Sequence, residues 1–132
     1  MVAYGGRSTW SLDAAMNRRR ELLHRLADSL EPPDSLLAEL RTFPFDWDDE
    51  PLLVLSRSHL RRILERFLCG HITSHQLEEW ADCFETRDDV ALDPEHGELL
   101  ANLLFQLANP TINAALTPAL ATQMQAALAT SN

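Results

Sequence analysis

The chain has 132 residues, of which 45% are hydrophobic and 23% charged. That is the size and make-up of one ordinary domain with a single core, which excludes a disordered or fibrous chain. Its net charge of −9 argues against nucleic acid as a partner, because such binding draws on basic side chains set against phosphates. No apolar run approaches the ~18 residues of a membrane span. The first thirty positions hold Asp13, Glu21 and an arginine run rather than a leader core, so no membrane is expected and the expected compartment is the cytoplasm.

Residues 1–10, with Gly5 and Gly6, read as a loose N-terminal arm, and 11–132 as one helical domain. Ser11 or Asp13 can cap a first helix whose apolar positions Leu12, Met16, Leu23, Leu26 and Leu30 recur at helical spacing. Pro32 and Pro33 are expected to end it. Asp34 can cap a short second helix through Leu36, Leu37 and Leu40. An acidic loop follows, Asp46-Trp47-Asp48-Asp49-Glu50. Leu52–Leu55 is a short strand or an extended lead-in, with the lead-in favoured.

From Ser56 the pattern sharpens. Leu60, Ile63, Leu64, Phe67 and Leu68 form one stripe, with Arg57, Arg61, Arg62 and Arg66 elsewhere on the helix and Gly70 placed to stop it. Thr73 with Gln76 makes a capping box for a helix of about 74–86 that buries Leu77, Trp80, Ala81 and Phe84. Its opposite sector carries Glu78, Glu79, Asp82 and Glu85. Asp93-Pro94 reads as N-cap and N1 of a fifth helix through Leu107, and Thr117-Pro118 repeats that signal for a sixth. No stretch has a convincing period of two. The expected fold is an all-α, single-domain bundle of five or six helices joined by short loops.

Catalytic and metal patterns are weak. Cys69, His71, His75 and Cys83 lie within fifteen residues, but their spacing is irregular for zinc, and they read as two reduced thiols and two ordinary histidines. Glu21-x-x-His24 is one half of a di-metal carboxylate pattern, and the nearest second half begins at Asp93, which serves better as a cap. With four glycines there is no phosphate-cradling loop. Neither an enzyme, a metal nor a cofactor is expected.

The acids are unevenly distributed, with a net −6 over residues 31–50 and −8 over 73–99, against +3 over 51–72. Neighbouring blocks of opposite sign often pair, so part of this acidity is expected to be met by the Arg face of residues 57–66. The two acidic segments hold sixteen acids against two arginines, an excess that would attract a basic protein surface. Two contact patches follow. One is Glu78, Glu79, Asp82, Glu85, Asp88 and Asp89; the other is Asp46, Asp48, Asp49 and Glu50 around Trp47, which is either an anchor for its loop or an aromatic hot spot.

The segment 60–110 carries Arg62-Ile63-Leu64-x-Arg66-Phe67-Leu68-x-Gly70, Ile72-Thr73, Leu77-x-x-Trp80-Ala81, Arg87-Asp88-Asp89 and Leu107-x-Asn109-Pro110. In these it resembles small bacterial immunity proteins, namely the all-helical colicin D immunity type and relatives from contact-dependent inhibition systems. The resemblance covers under half of the chain. It implies a cytoplasmic protein whose acidic surface occupies the basic cleft of a nuclease toxin, in place of the substrate's phosphates. The runner-up is a small regulatory or adaptor module acting as a homodimer through an apolar face such as that of the last helix.

Overall fold

The apolar stripes close on one another. In the computed structural model, which describes residues 12–42, 51–85, 87 and 89–130, six helices and one two-stranded sheet are found among the described residues. They run α1 (Leu12–Asp28), α2 (Pro33–Leu40), β1 (Leu53–Leu55), α3 (Arg57–Leu68), α4 (Ser74–Glu85), β2 (Val90–Leu92), α5 (Gly97–Ala108) and α6 (Pro118–Thr130). The fold is a mostly α, single bundle. The N-terminal arm lies outside the described residues.

Helix α1 buries Leu22, Leu23, Leu26 and Ala27, and it stops before the prolines because Ser29 takes a left-handed φ of 57°. Its last-turn carbonyls, which a helix leaves without internal donors, all find partners. The Ser29 N–H donates to Arg25 O at 3.3 Å, the Ser29 hydroxyl lies 3.4 and 3.3 Å from Leu26 O and Ala27 O, and Arg62 donates to Asp28 O at 3.2 Å. Helix α2 starts with Pro33 at its first position, so Asp34 lies inside the first turn and is not the cap. Two forked contacts clamp this region. Arg18 donates to both Glu39 oxygens at 2.7 Å, and Arg25 to both Glu31 oxygens at 2.9 Å. Each guanidinium holds its glutamate below the usual carboxylate range.

Helix α3 ends as its glycine predicts. Gly70 takes φ +81° with its N–H on Phe67 O, and the His71 N–H reaches Arg66 O, the paired bonds of a Schellman stop. Helix α4 opens on the expected capping box, with Thr73 N–H to Gln76 Oε1 at 2.9 Å and Gln76 N–H to Thr73 Oγ1 at 3.1 Å. Helix α6 uses Thr117 Oγ1 as acceptor for the Leu120 N–H. Chief packing pairs are α4 on α5, α3 on α6 and α1 on α2. Arg57 donates to Leu128 O and Gln125 to Arg61 O, fastening α6 to α3.

Two expectations fail here. Leu53–Leu55 is a strand, and it pairs in parallel with Val90–Leu92, which has no strand signal in the sequence. The α3–α4 hairpin supplies the long crossover that parallel pairing requires. Asp93-Pro94 does not start α5 either. These residues form a turn, with the Asp93 N–H still bonded to Leu55 O at 2.9 Å, and the helix begins at Gly97 behind His96.

His59 carries the reciprocal half of the α3 cap. Its Nδ1 accepts from the Ser56 N–H at 3.0 Å, while Nε2 faces Asp28 Oδ1 at 3.6 Å. Burial pushes the ring below the ordinary imidazole value, against the opposing pull of Asp28. A folded pKa below the unfolded one means that the unfolded chain binds more protons. This contribution is therefore complete above about pH 6.5 and is lost as the pH falls through the folded value. Urea midpoints taken between about pH 7 and pH 5 should fall less steeply in His59→Gln, which keeps a capping-box residue at N3. An identical slope would assign the acid sensitivity to other groups.

Candidate interaction surface

Helix α4 presents its acids because its other side is spent on the core: Leu77, Trp80, Ala81 and Phe84 are buried. Trp80 and Phe84 meet edge to face, with centroids 4.7 Å apart at 63°. On the remaining sector Asp82 and Glu85 are exposed, and Glu78 and Glu79 are partly covered. Glu79 lies 3.7 Å from Arg41 and 3.4 Å from His75. Glu78 and Glu85 take part in no ion pair among the described residues.

A cleft of about 220 Å³ runs between α2 and α4, lined by Leu37, Leu40, Arg41, Glu79, Asp82, Cys83 and Arg87. The acidic sector is thus bordered by two guanidiniums at one edge. Cys83 forms part of the cleft wall, where burial raises its thiol. Cys69 is exposed, its Sγ directed to Glu65 at 3.5 Å, a contact that also raises its pKa.

Asp89 does not belong to this surface. It is fully buried, with Oδ2 3.0 Å from Arg19 Nε on α1 and both oxygens held by Arg87 at 2.8 and 3.0 Å. Its carbonyl accepts from the Leu52 N–H at 2.7 Å. Asp89 is carried to the interior because the chain turns inward there to begin β2. Asp46, Trp47, Asp48, Asp49, Glu50 and Asp88 lie outside the described residues.

Of the α3 arginines, expected to meet the acids, Arg62 reaches the carboxylate of Asp28 at 3.5 Å. Arg57 and Arg62 bond the C-terminal turns of α6 and α1, and Arg66 donates to His71 Nδ1 at 3.3 Å. The described acids of the two acidic segments pair with Arg18, Arg25, Arg41, Arg19 and Arg87. Asp34 accepts from Gln76 at 3.2 Å. The described acids of residues 31–42 are therefore engaged inside the fold, and those of α4 supply the outward charge.

Other candidate chemistry disperses. Glu21 pairs with Arg18 and Arg25, and His24 Nε2 donates to Leu52 O, so the half di-metal pattern is engaged elsewhere. Cys69, His71, His75 and Cys83 each meet a different neighbour. Among the described residues the one convergence of three potential ligand atoms is Asp93, Glu95 and His96. Its only trace in the sequence is Asp93-x-x-His96, which a capping role for Asp93 explains equally well. No helix of the described chain is long and apolar enough to cross a membrane. The apolar residues Ala121, Met124 and Leu128 of α6 are buried within the chain. Comparison with protein families, curated proteins and solved structures finds no match to this chain.

Proposed function

We propose that the protein is a cytoplasmic binding partner of the immunity type, which neutralises a basic, nuclease-like toxin domain by offering carboxylates where the toxin would hold phosphates. The observation that carries this reading is the contrast between the two acidic segments. Glu31 and Glu39 are locked to arginines of α1, whereas Glu78 and Glu85 take part in no ion pair among the described residues and stand, with exposed Asp82, at i, i+7 and i+4 on a helix whose opposite face is buried around Trp80. A rigid helix with its charges on one outward sector costs little ordering when a partner docks. Its field speeds encounter with a basic surface. The likeness of residues 60–110 to helical immunity proteins agrees with this, and α4 lies inside that segment.

The test uses a toxin-like basic domain sought among the reading frames beside this chain. Co-expression should restore growth, and the purified chain should block the domain's nuclease activity. Glu78→Arg, Asp82→Arg and Glu85→Arg together should weaken binding roughly a hundredfold or more, mainly through the association rate and most strongly at low salt, with helicity unchanged. Full inhibition by the reversed variant would remove the α4 face from the mechanism. Absence of any such domain in the genetic neighbourhood would count against the immunity reading itself.

A further inference from the structure

The turn between β2 and α5 gathers two carboxylates and an imidazole that the reading above does not use. Potential ligand atoms of Asp93, Glu95 and His96 all lie within 4.8 Å of one another. Asp93 Oδ2 and His96 Nδ1 are 3.7 Å apart, too far for a hydrogen bond. Two donors bound at about 2.0–2.1 Å to a tetrahedral zinc stand about 3.4 Å apart, so a small inward shift of either side chain would seat both on one ion.

His96 supplies the independent observation. Its side chain is 6% exposed, and neither ring nitrogen has a hydrogen-bond partner among the described residues. Buried polar groups normally have one. The buried Nδ1 therefore lies without a hydrogen-bond partner 3.7 Å from Asp93 Oδ2, on the side of the cluster.

The backbone under the cluster is already fixed. The Asp93 N–H is bonded to Leu55 O, the Glu95 N–H to Asp93 Oδ1 at 3.1 Å, the His96 N–H to Asp93 O at 3.0 Å, and the Leu100 N–H to His96 O at 2.9 Å. Glu95 is exposed, which leaves an entry path for an ion.

We propose that Asp93, Glu95 and His96 form a binding site for a divalent transition cation of zinc's class. Two carboxylates match the charge of such an ion, and they outweigh the partial positive charge of the α5 N-terminus, which opposes a cation. The imidazole selects zinc-like ions over magnesium and calcium, which take oxygen ligands. Three protein ligands leave a fourth position to water. The site is independent of the α4 surface.

The test is a titration of the full, chelator-stripped and reduced chain with Zn²⁺ in competition with a chromophoric chelator, repeated with Co²⁺ to read coordination from its visible spectrum. One ion per chain is expected, with a cobalt spectrum free of sulfur charge transfer. Glu95→Gln, an exposed change that leaves the fold intact, should lower affinity at least roughly tenfold, and His96→Gln should lower it further. Cys69→Ser should change nothing. No saturable binding, wild-type affinity in Glu95→Gln, or binding lost with Cys69→Ser would each overturn the site.

Discussion

Asp89→Ala is expected to destabilise the protein by about 3–5 kcal/mol, the usual cost of stripping one partner from a buried ion pair. Arg19 is 4% exposed and Arg87 largely covered, and Asp89 is the carboxylate lying between their guanidiniums. Removing it takes away the carboxylate that both arginines share in the interior. Set against a total stability of about 5–15 kcal/mol, that loss would leave a large share of molecules unfolded near physiological temperature. Asp89→Asn keeps the shape and one acceptor but not the charge, so it should recover only part of the loss. Urea unfolding with an unchanged slope measures the difference directly. The companion triple variant Arg19→Met, Arg87→Met and Asp89→Leu should be closer to wild type than Asp89→Ala, because an apolar set of similar volume has no desolvation to offset. A cost below about 1 kcal/mol for Asp89→Ala would mean that water reaches the arginines and that the triad does not hold β2 to α1.

Asp89 also marks the boundary of what sequence can convey. Helix faces, the Gly70 stop, the Thr73–Gln76 box and the burial of Trp80 rest on residues three or four apart, whose spacing is itself the geometry. Asp89 and Arg19 are joined only by the tertiary fold, so the aspartate reads from its neighbours as one more surface acid. The same limit hides the sheet. Val90–Leu92 is three half-covered residues with no alternation, and it becomes a strand because Leu53–Leu55 lies alongside to accept it. His96 is hidden for a related reason. Asp93-Pro94 is a good cap-and-start signal locally, but the Asp93 N–H is drawn into the ladder by Leu55 O, which delays the helix and leaves His96 as the buried residue at its N-cap. Of the proposed contact surface, the α4 sector follows from helical periodicity alone. Which acids are neutralised inside the fold depends on where α1 lies, and no local pattern carries that.

Trp80→Phe is expected to cost more than the loss of ring volume alone. The indole is fully buried and its Nε1–H donates to Leu26 O at 2.8 Å, one of the last-turn carbonyls of α1 that lack intrahelical donors. Phenylalanine would fill much of the space and keep an edge contact with Phe84, yet it would remove the only strong donor to that carbonyl, since the Ser29 hydroxyl sits at 3.4 Å and also points towards Ala27 O. An acceptor left buried in this way costs about 1–3 kcal/mol, to which the smaller ring adds a cavity contribution. Trp80→Ala, which removes donor and ring together, should cost about 3–5 kcal/mol. The two variants separate packing from capping by where the loss appears. In Trp80→Phe, amide exchange should quicken first at Ser29, whose N–H is bonded to Arg25 O at the end of α1, while the amides of α5, the chief packing partner of α4, keep their protection until global unfolding. Uniform loss of protection across α1, α4 and α5 would instead make Trp80 a space-filling residue whose hydrogen bond is incidental. If the local pattern is found, α4 holds α1 through one indole on one side while presenting its acids on the other. Contact at Glu78, Asp82 or Glu85 would then be mechanically coupled to the end of α1.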